Sequence, residues 1–157
     1  MFKQGGRSRR VHLLLFVPDF DAVHAIQAMM EDLNSKLNGD GRPIVGVSAG
    51  DLTSRLLEID GDCTVVPAHI WTPWYGLLGS KSGFDSLEER FGDMTRNIHA
   101  VETGLSSDSE MNWPVPALAG KTIVSFSDAH SLPNMGRELD VFEGDATYTD
   151  VVVGLKD

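Results

Sequence analysis

Asp128-Ala129-His130 sets a carboxylate and an imidazole two residues apart, so in extended backbone both leave the same side of the chain and can share one cation. A loop carboxylate that only orients a histidine is the plainer alternative. His69, in Pro67-Ala68-His69, and His12, inside the apolar run Val11 to Val17, are single imidazoles for which a satisfied structural role is more ordinary than ligation, His12 the weaker of the two. Position is what lifts them. His69 follows Val65-Val66-Pro67, Glu102 follows Ala100-Val101, and Asp128 with His130 follows Ile123 to Phe126, so ligand-type side chains stand at the ends of successive apolar runs. His24 and His99 read as surface or packing residues.

Three further stretches carry possible substrate contacts. Trp71-Thr72-Pro73-Trp74-Tyr75 gathers large aromatics in a loop; they either bury against a core or offer a wall on which a splayed base can stack, with Trp71 and Trp74 as the candidates. Gly79-Ser80-Lys81-Ser82-Gly83 is not a nucleotide P-loop, because Ser80 separates the glycine from the lysine. Lys81 and Ser82 with nearby amides could still hold an oxyanion, or the stretch is a simple turn; Ser86 and Glu89 form a capping box for the next helix. In Glu102 to Asp108, Ser106 and Ser107 could contact phosphate or stabilise a turn. No Gly-x-Ser-x-Gly elbow or Cys-His pair supports covalent nucleophilic hydrolysis.

The elements that must position these groups follow from the apolar pattern. Val11 to Val17, closed by Pro18, predicts a strand buried on both faces and hence a parallel sheet. Asp19 or Asp21 caps a helix in which Val23, Ile26, Met29, Met30, Leu33 and Leu37 recur until Asn38-Gly39. A polar turn over 38–43 leads to the apolar Ile44 to Val47, and a helix follows over Asp51 to Ile59 with Leu52, Leu56 and Leu57 inward. Further short runs lie at Cys63 to Val66, Ile98 to Val101 and Thr122 to Phe126. Alternation of this kind predicts an α/β architecture with function at the strand ends.

Composition narrows the class. The 157 residues hold 13 Lys+Arg against 23 Asp+Glu, a net −10, with 41% hydrophobic residues. One soluble globular domain fits; disordered, collagenous and membrane-spanning classes do not. Cys63 is the single cysteine, which excludes an internal disulfide and a paired-thiolate zinc site and points to a reducing, cytoplasmic setting. The basic start before an apolar run suggests a secretory signal, but Pro18 and Asp19 end that run after about seven residues. Four of the bases fall in the first ten positions, so the remainder is more acidic than the total and repels bare phosphate unless cations offset the field.

Several long motifs in one order resemble the endonuclease Q family, whose N-terminal part is a polymerase-and-histidinol-phosphatase (PHP) phosphoesterase domain. The matching residues are Arg10-Val11-His12-Leu13-Leu14, Asp40-Gly41-Arg42-Pro43-Ile44, Pro67-Ala68-His69-Ile70-Trp71-Thr72-Pro73-Trp74 and Gly79 to Ser86. They continue through Glu102 to Asp108, Met111-Asn112-Trp113, Ser127-Asp128-Ala129-His130-Ser131 and Gly136-Arg137-Glu138. The resemblance implies a partial distorted (β/α)7 PHP-type barrel over 1–157, with divalent metal ions at its strand ends, zinc first and manganese or magnesium as alternatives. By position it makes His12, His69, Asp128 and His130 metal ligands, Asp128 and His130 also catalytic, and Glu102 either a ligand or a support. The family's opening His-x-His strand and its later four-cysteine zinc and helical modules have no counterpart here, so the chain resembles a middle piece.

The implied reaction is metal-dependent phosphodiester hydrolysis, nicking damaged DNA on the 5′ side of deaminated bases such as uracil or hypoxanthine, or of abasic sites. Damaged DNA is the expected partner and no membrane is. Alone, this piece is expected to bind DNA weakly and to cleave little. Two alternatives keep the fold: a PHP phosphatase acting on a small phosphate monoester such as histidinol phosphate, and a non-catalytic remnant.

Overall fold

The structure, a computed structural model, describes residues 2–4, 6–33, 35, 37 and 42–156. Two short strands, β1 (Phe2–Gln4) and β2 (Arg7–Arg9), pair antiparallel across a turn where Gly6 has φ +74°, a hairpin that the basic start of the sequence does not announce. β3 (Leu13–Phe16) follows, and then Asp19 caps α1 (Phe20–Asp32) by accepting from the Ala22 amide at 2.8 Å. The cap holds because its oxygen satisfies a first-turn amide that has no partner within the helix. Ala22, Ile26 and Met30 form the buried stripe. The helix stops at Asp32 with Leu33 as its C-cap and Leu37 already in a turn, short of the expected end at Asn38-Gly39, which itself lies outside the described residues.

Ile44 to Val47 is not a strand; Ser48 instead caps α2 (Ala49–Ile59), accepting from Asp51 N–H at 3.0 Å, and Ala49, Leu52 and Leu56 turn inward. β4 (Thr64–Pro67) comes next, then α3 (Leu87–Phe91), capped by Ser86 as its sequence predicts, β5 (Ala100–Glu102), α4 (Ser109–Asn112), β6 (Thr122–Val124) and α5 (Tyr148–Lys156). Glu89 closes that cap by accepting from Asp85 N–H at 2.8 Å.

The sheet is where the structure departs from the parallel expectation. β3 pairs antiparallel with β4, Leu13 opposite Pro67 and Phe16 opposite Thr64, whereas β5 and β6 are parallel. Two helices, not one, separate β3 from β4, so the chain re-enters the sheet from the opposite end. β4 packs beside β5, but the described strands form small two-stranded sheets and no closed barrel. The fold is mixed α/β.

β4 runs through the centre, buried on both faces. Val65 joins the larger apolar cluster with Leu56, Ile70, Leu77, Leu87 and Ile98, while Val66 joins Ala100, Val124 and Leu155 on the other side. Each such side chain contributes about 1.5–3 kcal/mol by leaving water, which anchors the strand from which the loop carrying His69 leaves. No described helix is long and apolar enough to cross a membrane.

Candidate functional site

Antiparallel pairing has a direct consequence for His12. Because Leu13 lies opposite Pro67, the residue before β3 stands beside the residues after β4, and Ala68 N–H donates to His12 O at 3.1 Å. His12 Nδ1 then lies 3.0 Å from His69 Nε2, their ring centroids 5.0 Å apart in an edge arrangement. Tyr75 stacks on the other face of His12 at 4.6 Å, and its carbonyl accepts from His12 N–H at 2.9 Å.

Thr72 assigns the protons. Its hydroxyl lies 2.5 Å from His69 O and 2.7 Å from His69 Nδ1. The single hydroxyl proton goes to the carbonyl, which accepts only, so Nδ1–H of His69 donates to Thr72 Oγ1 and Nε2 keeps its lone pair. His12 Nδ1–H donates to that lone pair.

His69 is 8% exposed and has φ +34°, in the left-handed region where a side-chain-bearing residue is uncommon. Gly104, φ +60°, explains how the ring fits: a Cβ there would lie 2.4 Å from His69 Cβ. Glu102 is 2% exposed. Its Oε2 accepts from His69 N–H at 2.5 Å and its Oε1 from Gly104 N–H at 2.6 Å and Phe126 N–H at 3.3 Å.

Asp128 and His130 sit on the loop after β6, both exposed, with Asp128 at φ +46°. His130 Nδ1 is 2.9 Å from Asp128 O and 3.8 Å from its Oδ1, while its Nε2 faces Arg42 at 3.3 Å. Arg137 clamps the loop from outside by donating to Ser127 O at 2.8 Å. The loop is within electrostatic reach of His12. Burial first, then His69 and Arg42, hold the His12 imidazole below its ordinary value, against the pull of Asp128, and His130 adds to the depression.

His12 and His69 thus face each other, Asp128 and His130 pair on their own loop, and the loop lies within electrostatic reach of His12, but among the described residues no three His, Cys, Asp or Glu side chains form a ready ion cage. The resemblance implies a divalent ion, and the histidine pair fits one. Two nitrogens bound to a tetrahedral ion at about 2.0–2.1 Å stand roughly 3.3 Å apart, close to the gap between His12 and His69. The Thr72 bond also fixes the tautomer in which the facing nitrogen of His69 carries a lone pair; an ion between the rings would take that lone pair in place of the His12 N–H, with His12 Nδ1 giving up its proton to ligate.

Substrate candidates divide by burial. Trp71 is half-buried, its Nε1–H donating to Asn112 Oδ1 at 2.7 Å, whereas Trp74 is 58% exposed beside Tyr75. Ser82 is buried, accepting from Tyr75 N–H at 2.8 Å and donating to Arg10 O at 3.1 Å. The amides of Gly79, Lys81, Ser82 and Gly83 all donate to carbonyls of the same loop, leaving none of the four for an oxyanion; of the two candidates Lys81 and Ser82, the Lys81 side chain is the exposed one. Ser107 donates to Thr103 O and accepts from Asn112, and Ser106 is exposed. Thr72, Asn112 and Arg42 carry no individual signal in the sequence. Each lies within a motif of the resemblance, but Asn112 meets Trp71 and Arg42 meets His130 across 41 and 88 positions, too far for a local pattern, and a threonine three residues after a histidine is too common a spacing to stand out.

No protein-family model matches the chain. It is 30% identical over 147 residues to the uncharacterized protein YqxK of Bacillus subtilis, covering 93% of this chain and 36% of that protein. The uncharacterized protein MJ0043 of Methanocaldococcus jannaschii is 32% identical over 108 residues, 64% of this chain and 12% of that one. Among solved structures, the lesion-specific endonuclease PfuEndoQ of Pyrococcus furiosus superposes with a TM-score of 0.82 at 33% identity. A complex of endonuclease Q with a 27-mer duplex bearing an abasic lesion at its active site gives 0.83 at 32% identity. Both cover 94% of this chain and 36% of the longer one, so the chain spans about a third of the length of these structures.

Proposed function

We propose, from the premise that this chain belongs with the endonuclease Q family, that it supplies part of the catalytic centre of a metal-dependent DNA repair endonuclease acting at deaminated bases or abasic sites. The observation that carries the reading is the facing pair His12 and His69, with Asp128 and His130 close enough for their charges to act on His12. The partial PHP barrel belongs to the same proposal.

His12, His69, Asp128 and His130 would hold the ion, zinc by the nitrogen-rich donor set. Such an ion polarises a phosphoryl oxygen and acidifies a bound water. The chain's own contribution is positional. Thr72 keeps His69 Nε2 deprotonated and aimed, and Tyr75 braces His12 from behind. Arg42, already directed at His130, brings a guanidinium suited to bidentate contact with a phosphodiester. Exposed Trp74 offers an indole face on which an unstacked nucleotide can rest. With a net charge of −10, this chain depends on other basic surface for duplex affinity.

The test has two stages. Calorimetric titration of the chain with zinc should show binding that His12→Ala and His69→Ala abolish and that Thr72→Val weakens about 10–100-fold. A chimera carrying this chain in place of the matching segment of the Pyrococcus furiosus enzyme should then nick a duplex at an abasic site, and its H69A form should not. Zinc binding unaffected by either histidine, or a folded chimera that hydrolyses only small phosphate monoesters, would overturn the reading.

A further inference from the structure

Glu102 is the most completely enclosed acid in the described structure, and its surroundings differ from those of a ligand. Its two oxygens accept three backbone amides, and each amide belongs to a different segment: His69 after β4, Gly104 after β5 and Phe126 after β6. Its own carbonyl accepts from Ile70 N–H at 3.0 Å. One side chain thus ties the exits of three strands together. Two of the tied residues, His69 and Gly104, have φ of +34° and +60°, and the absence of a Cβ on Gly104 is what lets His69 sit against it. A carboxylate offers about four lone-pair directions, and three are taken by the loops on which the candidate ligands stand.

We propose that Glu102 is a positioning residue and not a metal ligand: it fixes the left-handed backbone of His69, and so the direction in which His69 Nε2 meets His12. This role rests on the metal-site proposal for its purpose but not for its geometry. A glutamine is the informative replacement, because its NH2 group must face either the His69 amide or the Gly104 and Phe126 amides, setting donor against donor. One strand exit is then released whichever way it turns.

The experiment is amide NMR on the whole chain, metal-free and then titrated with zinc. In the metal-free protein the His69 and Gly104 amide protons should resonate far downfield, as donors in short bonds to a carboxylate do, and Glu102→Gln should move at least one of them upfield. On adding zinc to the unsubstituted chain both should keep their downfield positions. If zinc shifts them upfield together, Glu102 has left the loops for the ion and the proposal is overturned; it is equally overturned if E102Q leaves both unmoved. Zinc affinity of E102Q should fall about 10–100-fold, whereas Leu118→Ala, a core truncation that removes none of the Glu102 hydrogen bonds, should lower stability without moving affinity or either amide. Should E102Q not fold, the zinc titration of the unsubstituted chain decides. Should the chain bind no zinc at all, the metal-site reading fails while the metal-free comparison of E102Q still tests the bracket.

Discussion

Replacing Gly104 by alanine adds one methyl at a point where the backbone and His69 leave no room. The new Cβ would lie 2.4 Å from His69 Cβ and 2.9 Å from its Cα, neither of them the free end of a flexible side chain, and the residue would have to keep φ +60°. Holding an L-residue in left-handed backbone costs about 1–2 kcal/mol, and overpacking a tight site adds typically 1–3 kcal/mol. Gly120→Ala is the matched control, because Gly120 has φ +71° but a Cβ there meets nothing within 4 Å. It should cost only the first component. At roughly 2–4 °C of Tm per kcal/mol for a chain of this size, G120A should fall by roughly 2–8 °C and G104A by a further 2–12 °C. Differential scanning calorimetry measures both. The two variants should also part in zinc titration, since only G104A displaces the ring that faces His12. Equal losses of Tm with equal affinities would refute the argument that Gly104 is there to seat His69.

Two other outcomes are expected. Asn112 is fully buried, accepting from Trp71 Nε1–H and donating to Ser107 Oγ at 3.1 Å and Asp108 O at 2.6 Å; Asn112→Ala strands the indole donor at a cost of about 1–3 kcal/mol, read as a lower urea midpoint with a red shift of tryptophan emission, and an unchanged spectrum would contradict the brace. Burial, then Lys156 and Lys121, hold the His99 imidazole below its ordinary value. The unfolded chain therefore takes up that proton first, and stability should fall as pH drops from the ordinary histidine range toward the depressed folded value, with no contribution above it. His99→Gln should flatten this acid-side slope in urea midpoints measured from pH 7.5 to 5.5, while a slope identical to that of the unsubstituted chain would count against the shift.

The local features were legible because their causes are local. Asp19 and Ser86 sit one residue ahead of an amphipathic run, where an acceptor is needed for first-turn amides, and both cap as their positions predict. Apolar stretches at β4, β5 and β6 form strands within a residue or two of their sequence limits, and the polar residues after them do lie at strand ends. Ser82 was less legible. A hydroxyl in a glycine-rich stretch has the same pattern whether it meets a phosphate or, as here, holds Tyr75 and Arg10.

Residue type and order alone established that imidazoles and carboxylates follow apolar segments, and which helices could form between them, since periodicity and capping are short-range. Strand direction was beyond that reach. Val11 to Val17 looks the same to a parallel or an antiparallel neighbour, yet only the antiparallel partner brings His12, which precedes its strand, to the rim where His69 follows its own. The use made of Glu102 was decided in the same way, because an acid at a strand end presents one sequence pattern whether its oxygens face an ion or, as in this fold, three amides from segments up to 33 residues away.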